Sequence, residues 1–211
     1  MKLTEIQLDA LREVANIGAG NAATSLSRLL EKRIRMHVPS VRLLPIQEVA
    51  EALGGREQVV TAIYLQIHGS ATAGFMLLFS EEGARKLASH LLGRWSRDTV
   101  RWDELAESAL KEMGNVFTGS YFTALSQMVS LRFFQSVPDL ATDMLQSVLD
   151  NALIQLAREA EHALVFETKF EAGAETIPSC CLFIPESEGW LAVLGALHLE
   201  AKKGARFHES A

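Results

Sequence analysis

Cysteine is scarce in this chain: there are two, neighbours at Cys180 and Cys181, inside the apolar run CCLFI. Successive residues on a strand point to opposite faces, so the pair makes neither an ordinary disulfide nor two ligands of one metal. Free thiols packed in a strand are expected. The six histidines are scattered and form no HExxH, HxxxH or mixed Cys/His cluster, so the usual zinc patterns are missing as well. No apolar run reaches the roughly 18 residues that cross a bilayer. The opening MKLTEIQLDAL has neither the apolar core nor the cleavage site of a signal peptide, and the expected compartment is the cytoplasm, with no membrane partner. Concentrated positive charge is also lacking. Lys and Arg number 20 against 26 Asp and Glu, a formal charge of −6, which argues against nucleic acid as a partner.

What is present is globular: 48% hydrophobic and 22% charged residues over 211 positions, enough for one substantial domain or two small ones. Thr4 and Gln7 have capping-box spacing, and apolar or small residues then recur at Leu8, Leu11, Ala15, Gly18, Ala22 and Leu26. This predicts a helix over about 4–32. RIRMHVPSVRLL reads as a strand interrupted at Pro39, followed by a short helix from Pro45 to Gly54-Gly55. VVTAIYLQIHGSATAGFMLLF reads as a hairpin, and Ser80 as the cap of the helix EEGARKLASHLLG.

The order then repeats. Asp103 caps a long helix to Val129, LRFFQSV is a strand, DLATDMLQSVLDNALIQL is a helix after Pro138, ALVFETKFEAG and IPSCCLFIP are strands, and a last helix runs from Glu186 to Leu199. Two copies, about 1–95 and 103–199, joined by a linker over 93–102 and followed by a polar tail at 201–211, therefore make up one domain. A three-stranded sheet with two open edges is marginal alone. The expected fold class is α+β, a tandem duplication sharing one mainly antiparallel sheet, with two long pseudo-symmetric helices.

Those helices carry the same polar face. At about 100° per residue, Asp9, Glu13 and Asn16 lie on one side of the first, away from its apolar stripe. Ser108, Glu112 and Asn115 lie likewise on the second, at a constant offset of 99 (115 − 16 = 99). Outward positions of a duplicated sequence drift freely, yet here Glu and Asn match while inward positions such as Ile17 and Val116 differ. Gly18 and Gly114 flank the asparagines, and a glycine inside a helix costs about 1 kcal/mol against alanine. Close approach by the sheet, another helix or a partner would offset that.

Gly18-Ala19-Gly20-Asn21-Ala22-Ala23 also fits GxGxxA. That pattern binds a dinucleotide only where a strand turns into a helix, whereas these glycines lie deep inside a helical pattern, and the second copy has Phe117 in place of the first glycine.

The motif Asp9-Ala-Leu-Arg-Glu13-Val-Ala-Asn16, repeated as Ser108-Ala-Leu-Lys-Glu112-Met-Gly-Asn115, resembles that of the CheC/CheX/FliY group of bacterial chemotaxis phosphatases. The flanks NIGAGNAATSLSRLL and GSYFTALSQM are similar too, and the duplicated layout over nearly the whole chain is most like the CheC type. FliY-type members carry a further flagellar-switch domain that 211 residues do not accommodate, and CheX-type members keep one motif and dimerise.

The resemblance implies a monomer that dephosphorylates the phosphoaspartate of a CheY-type response regulator. The regulator supplies the acyl phosphate, the Mg²⁺ and a lysine, so no metal or cofactor of the chain's own is expected. Asn16 and Asn115 would each position the attacking water, Glu13 and Glu112 would pair with the regulator's lysine, and Asp9 and Ser108 would support docking. Some CheC-type members bind the receptor deamidase CheD through a helix rich in small residues after an Asp-Met; here Leu145 and Gln146 follow Asp143-Met144, a departure from that pattern. The alternative reading is a non-catalytic module that binds a response regulator, a CheD-like deamidase or a flagellar-switch component through the same helices.

Overall fold

The computed structural model describes residues 3–93, 102–129, 131–156, 160–172, 175–186, 189 and 195. Helix α1 (Glu5–Leu30) starts at the expected capping box, in which the Gln7 amide N–H donates to Thr4 Oγ1 and the Thr4 amide N–H to Gln7 Oε1. Strand β1 (Ile34–Pro45), helix α2 (Ile46–Ala52), strands β2 (Val59–Gly69) and β3 (Ala73–Ser80) and helix α3 (Glu81–Leu92) complete the first copy. Ser80 Oγ caps α3 by accepting from the Gly83 amide, and Gly93 ends it in the left-handed conformation at φ 65°.

In the second copy Asp103 caps helix α4 (Glu104–Val129) by accepting from the Ala106 amide. Strands β4 (Phe133–Gln135) and β5 (Asp139–Met144), helix α5 (Leu145–Gln155) and strands β6 (His162–Ala172) and β7 (Glu175–Pro185) follow. One expectation is corrected. The helix read from Asp139 begins only at Leu145, because residues 139–144 form β5 along β2, from Tyr64↔Asp139 to Val59↔Met144. Asp139 after a proline looks like a helix cap, but the open flank of β2 offers six residues a ladder, and Thr142 bonds Thr61 across it (3.0 Å). Residues 94–101 of the expected linker, the tail at 201–211 and most of the expected last helix lie outside the described residues.

All strand pairings are antiparallel, and the sheet order is β1-β6-β7-β3-β2, with β4 and β5 both on the outer side of β2. The order is a palindrome: β1 corresponds to β4 and β5, β2 to β6, and β3 to β7. Each copy's first strand therefore pairs with the other copy's second, and the pseudo-twofold axis passes between β3 and β7.

Three layers result. Ile63, Leu65, Phe75, Leu77 and Phe166 face α1, α3 and α4, whereas Ala62, Tyr64, Met76, Leu78 and Val165 face α2 and α5. Cys181 lies in the first cluster and Cys180 against the second, both as free thiols on opposite faces, as adjacent strand residues must be. The internal glycines serve packing. A Cβ on Gly18 would stand 2.6 Å from the Tyr121 ring of α4, and one on Gly114 would stand 2.6 Å from Ile63 Cγ2 on the sheet.

Candidate functional site

The two motif faces lie where α1 and α4 run past an interruption in the outermost strands. In β1 the ladder with β6 shifts register between His37 and Ser40, at Val38-Pro39. In the second copy the equivalent strand is broken into β4 and β5 at Ser136-Val137-Pro138. Proline has no N–H for a ladder, so each interruption sits where the pairing would fail in any case.

Glu13 and Glu112 are exposed, as their positions on the helices predict, and so are Asp9 and Ser108. Asp9 pairs with Arg12 at 3.0 Å, with both side chains largely in water, where such a pair contributes little. Asn16 and Asn115 differ from a simple outward-facing reading. Both are half-buried, and each amide is held.

Asn16 is held by backbone. Val38 N–H donates to Asn16 Oδ1 at 3.0 Å, and Asn16 Nδ2 donates to the Val38 carbonyl at 3.2 Å and to the Arg12 carbonyl at 3.0 Å. The register shift leaves the Val38 peptide groups outside the ladder, and the asparagine amide satisfies both. Val38 is correspondingly buried, 3% exposed.

Asn115 is held by a side chain. Gln135 Nε2 donates to the Asn115 carbonyl at 3.0 Å and to Asn115 Oδ1 at 2.6 Å. The Val137 carbonyl is served by Ser136 Oγ at 2.9 Å, and Ser136 is tied to β2 through its amide to the Gln66 carbonyl and through Gln66 N–H to its hydroxyl. Val137 consequently stands outward, 86% exposed, where its counterpart Val38 is buried. Beside it opens a groove of about 450 Å³ lined by Ser108, Lys111, Glu112, Asn115, Gln135 and the 136–138 segment.

In hydrogen-bonding capacity the two amides are unequal. Asn16 has both N–H groups engaged and one lone pair of Oδ1 to spare. Asn115 also keeps one lone pair, but its NH₂ group has no partner among the described residues, so it can accept from one molecule and donate to another. Among the described residues no group of three or more His, Cys, Asp or Glu side chains could hold a metal, and no helix is long and apolar enough to cross a membrane.

Val38 and Gln135 were not singled out as site residues from the sequence. A signal existed: Val-Pro recurs at 38–39 and 137–138, in the same offset of 99 as the motif.

Comparison with known proteins places these features in a family. The model of the CheC-like family matches residues 6–42 and again 105–141, two segments in the register of the repeat. The CheY-P phosphatase CheC of Bacillus subtilis (strain 168) is 35% identical over 168 residues, 79% of this chain and 80% of that protein. The flagellar motor switch phosphatase FliY of the same organism is 28% identical over 141 residues, 64% of this chain and 35% of its own length. Among solved structures, that of Thermotoga maritima FliY superposes with a TM-score of 0.75 at 22% identity, covering 94% of this chain and 98% of that one.

Proposed function

The chain belongs to the CheC-like family, and from that premise we propose that it is a phosphatase acting on the phosphoaspartate of a CheY-type response regulator. The observation that carries the reading is the recurrence of an exposed Glu and a half-buried, oriented Asn at equivalent places on α1 and α4, each beside a strand interruption.

An acyl phosphate is already activated, so the helper protein has mainly to place a water in line with phosphorus. Asn115 does so with its amide: Oδ1 accepts from the water and Nδ2 donates to a phosphoryl oxygen. The water oxygen forms the new P–O bond, and the bond between phosphorus and the aspartyl oxygen breaks. The products are the aspartate carboxylate and inorganic phosphate, with the water's proton passing to phosphate or solvent. Asn16 acts in the same way at the first site once the incoming regulator draws its amide from Val38.

Glu13 and Glu112, exposed one helical turn before each asparagine, pair with the regulator's lysine and set the register of docking, with Asp9 and Ser108 at the rim. The Mg²⁺ in this scheme belongs to the regulator. The expected form, from the resemblance to two-motif members of the CheC type, is a monomer.

The test is the decay of a phosphorylated CheY-type regulator with and without the protein, comparing wild type with Asn16→Ala/Asn115→Ala. Acceleration by wild type and none by the double variant supports the reading. A regulator that binds without accelerated decay refutes catalysis and leaves an interaction module.

A further inference from the structure

Gln135 occupies the place in the second copy that Met36 holds in the first, so nothing in the shared motif requires a glutamine there. Its amide orientation is set by chemistry. The atom 3.0 Å from the Asn115 backbone carbonyl must be a donor, so it is Nε2. The atom of the Asn115 side chain 2.6 Å from that donor must in turn be the acceptor Oδ1. The Asn115 NH₂ group is thereby turned away from Gln135. Gln135 Oε1 is buried and has no partner among the described residues, an unfavourable arrangement.

We infer that Gln135 is a positioning residue of the second site: its Nε2 selects the one flip of the Asn115 amide that keeps the NH₂ group free for substrate. Rotation of Asn115 by 180° about its last torsion would set NH₂ against NH₂, a clash that Gln135 imposes and Met36 could not. The first copy obtains the equivalent selection from the Val38 peptide groups, which fix the Asn16 flip, but there the Val38 and Arg12 carbonyls take both N–H donors. The inference rests on the phosphatase reading, and it assigns a role specific to this chain's second site.

The experiment uses the full chain carrying Asn16→Ala, so that only the second site contributes, and measures multiple-turnover decay of a phosphorylated CheY-type regulator. Into this background go Gln135→Met, which copies the first repeat, and Gln135→Glu, which keeps the shape but replaces the donor by an acceptor. Both should lower kcat by about tenfold with KM unchanged, whatever stability is lost with the bond to the Asn115 carbonyl. Gln135→Glu should regain turnover as pH falls and its carboxyl becomes a donor again.

Turnover equal to the background overturns the inference while leaving the phosphatase reading intact, as does a rise in KM or a fall in Tm without a change in kcat. If Gln135→Met fails to fold, the isosteric Gln135→Glu decides. Wild type without activity would instead remove the reading beneath it, and a background variant without residual activity would show the second site idle and sink the inference alone.

Discussion

Asn16 closes a two-bond ring with the Val38 peptide, accepting from its N–H at 3.0 Å and donating to its carbonyl at 3.2 Å. Asn115, in the equivalent place, makes no such ring: Ser136 serves the Val137 carbonyl instead. The two sites should therefore do unequal work. Asn115→Ala is expected to remove most of the accelerated decay of the phosphorylated regulator, and Asn16→Ala the smaller share, measured as single variants against the double. Asn16→Ala should also lower Tm, since it leaves the Val38 peptide groups unsatisfied, at a cost of about 1–3 kcal/mol.

The glutamates are proposed to act in docking. Glu112→Lys in the Asn16→Ala background should raise KM by about tenfold while kcat stays within about twofold, because reversing an interface charge affects both ground and transition states. Raising the ionic strength should weaken wild-type binding by the same logic. A fall in kcat alone would place Glu112 in the chemistry.

Three helix glycines give opposite expectations. Gly18→Ala and Gly114→Ala would set a methyl 2.6 Å from the Tyr121 ring and from Ile63 Cγ2, and each should lower stability by about 1–3 kcal/mol in urea titration. Gly20 has open space where its Cβ would be, so Gly20→Ala should instead gain about 0.5–1 kcal/mol from better helix propensity.

Stability should fall on the alkaline side. Burial pushes the Cys181 thiol up from 9.0 to about 12 and the Tyr64 hydroxyl up from 10.0 to about 12, and it moves Cys180 and Tyr121 the same way. Between pH 9 and 12 the unfolded chain has lost protons that the folded chain retains, so unfolding becomes easier as pH rises, whereas below pH 9 these groups contribute no slope. Urea midpoints across this range should show the decline, and Cys181→Ala should flatten it.

Most of the element order was legible because it depends on local signals: the Thr4 and Ser80 caps, the helical stripe from Leu8 to Leu26, and the β-rich hairpin after Val59. Residues 139–144 were misread because what makes them a strand is the flank of β2, some 80 residues away in sequence. At the site, periodicity placed Glu13 and Glu112 in solvent. It could not supply the partners of the asparagines, since those come from β1 and β4 across a tertiary contact, although the paired Val-Pro dipeptides marked the spot.

The crossed pairing of β1 with β6 and of β2 with β5 has a bearing on descent. Neither half can be deleted without stripping a neighbour from the one that stays, so a lineage with this architecture cannot shed a redundant site by truncation. Specialisation has to proceed by substitution on the helix faces and in the short stretch around each Val-Pro. The two asparagines of this chain have diverged in that way: the same residue is retained on both helices, with its surroundings altered.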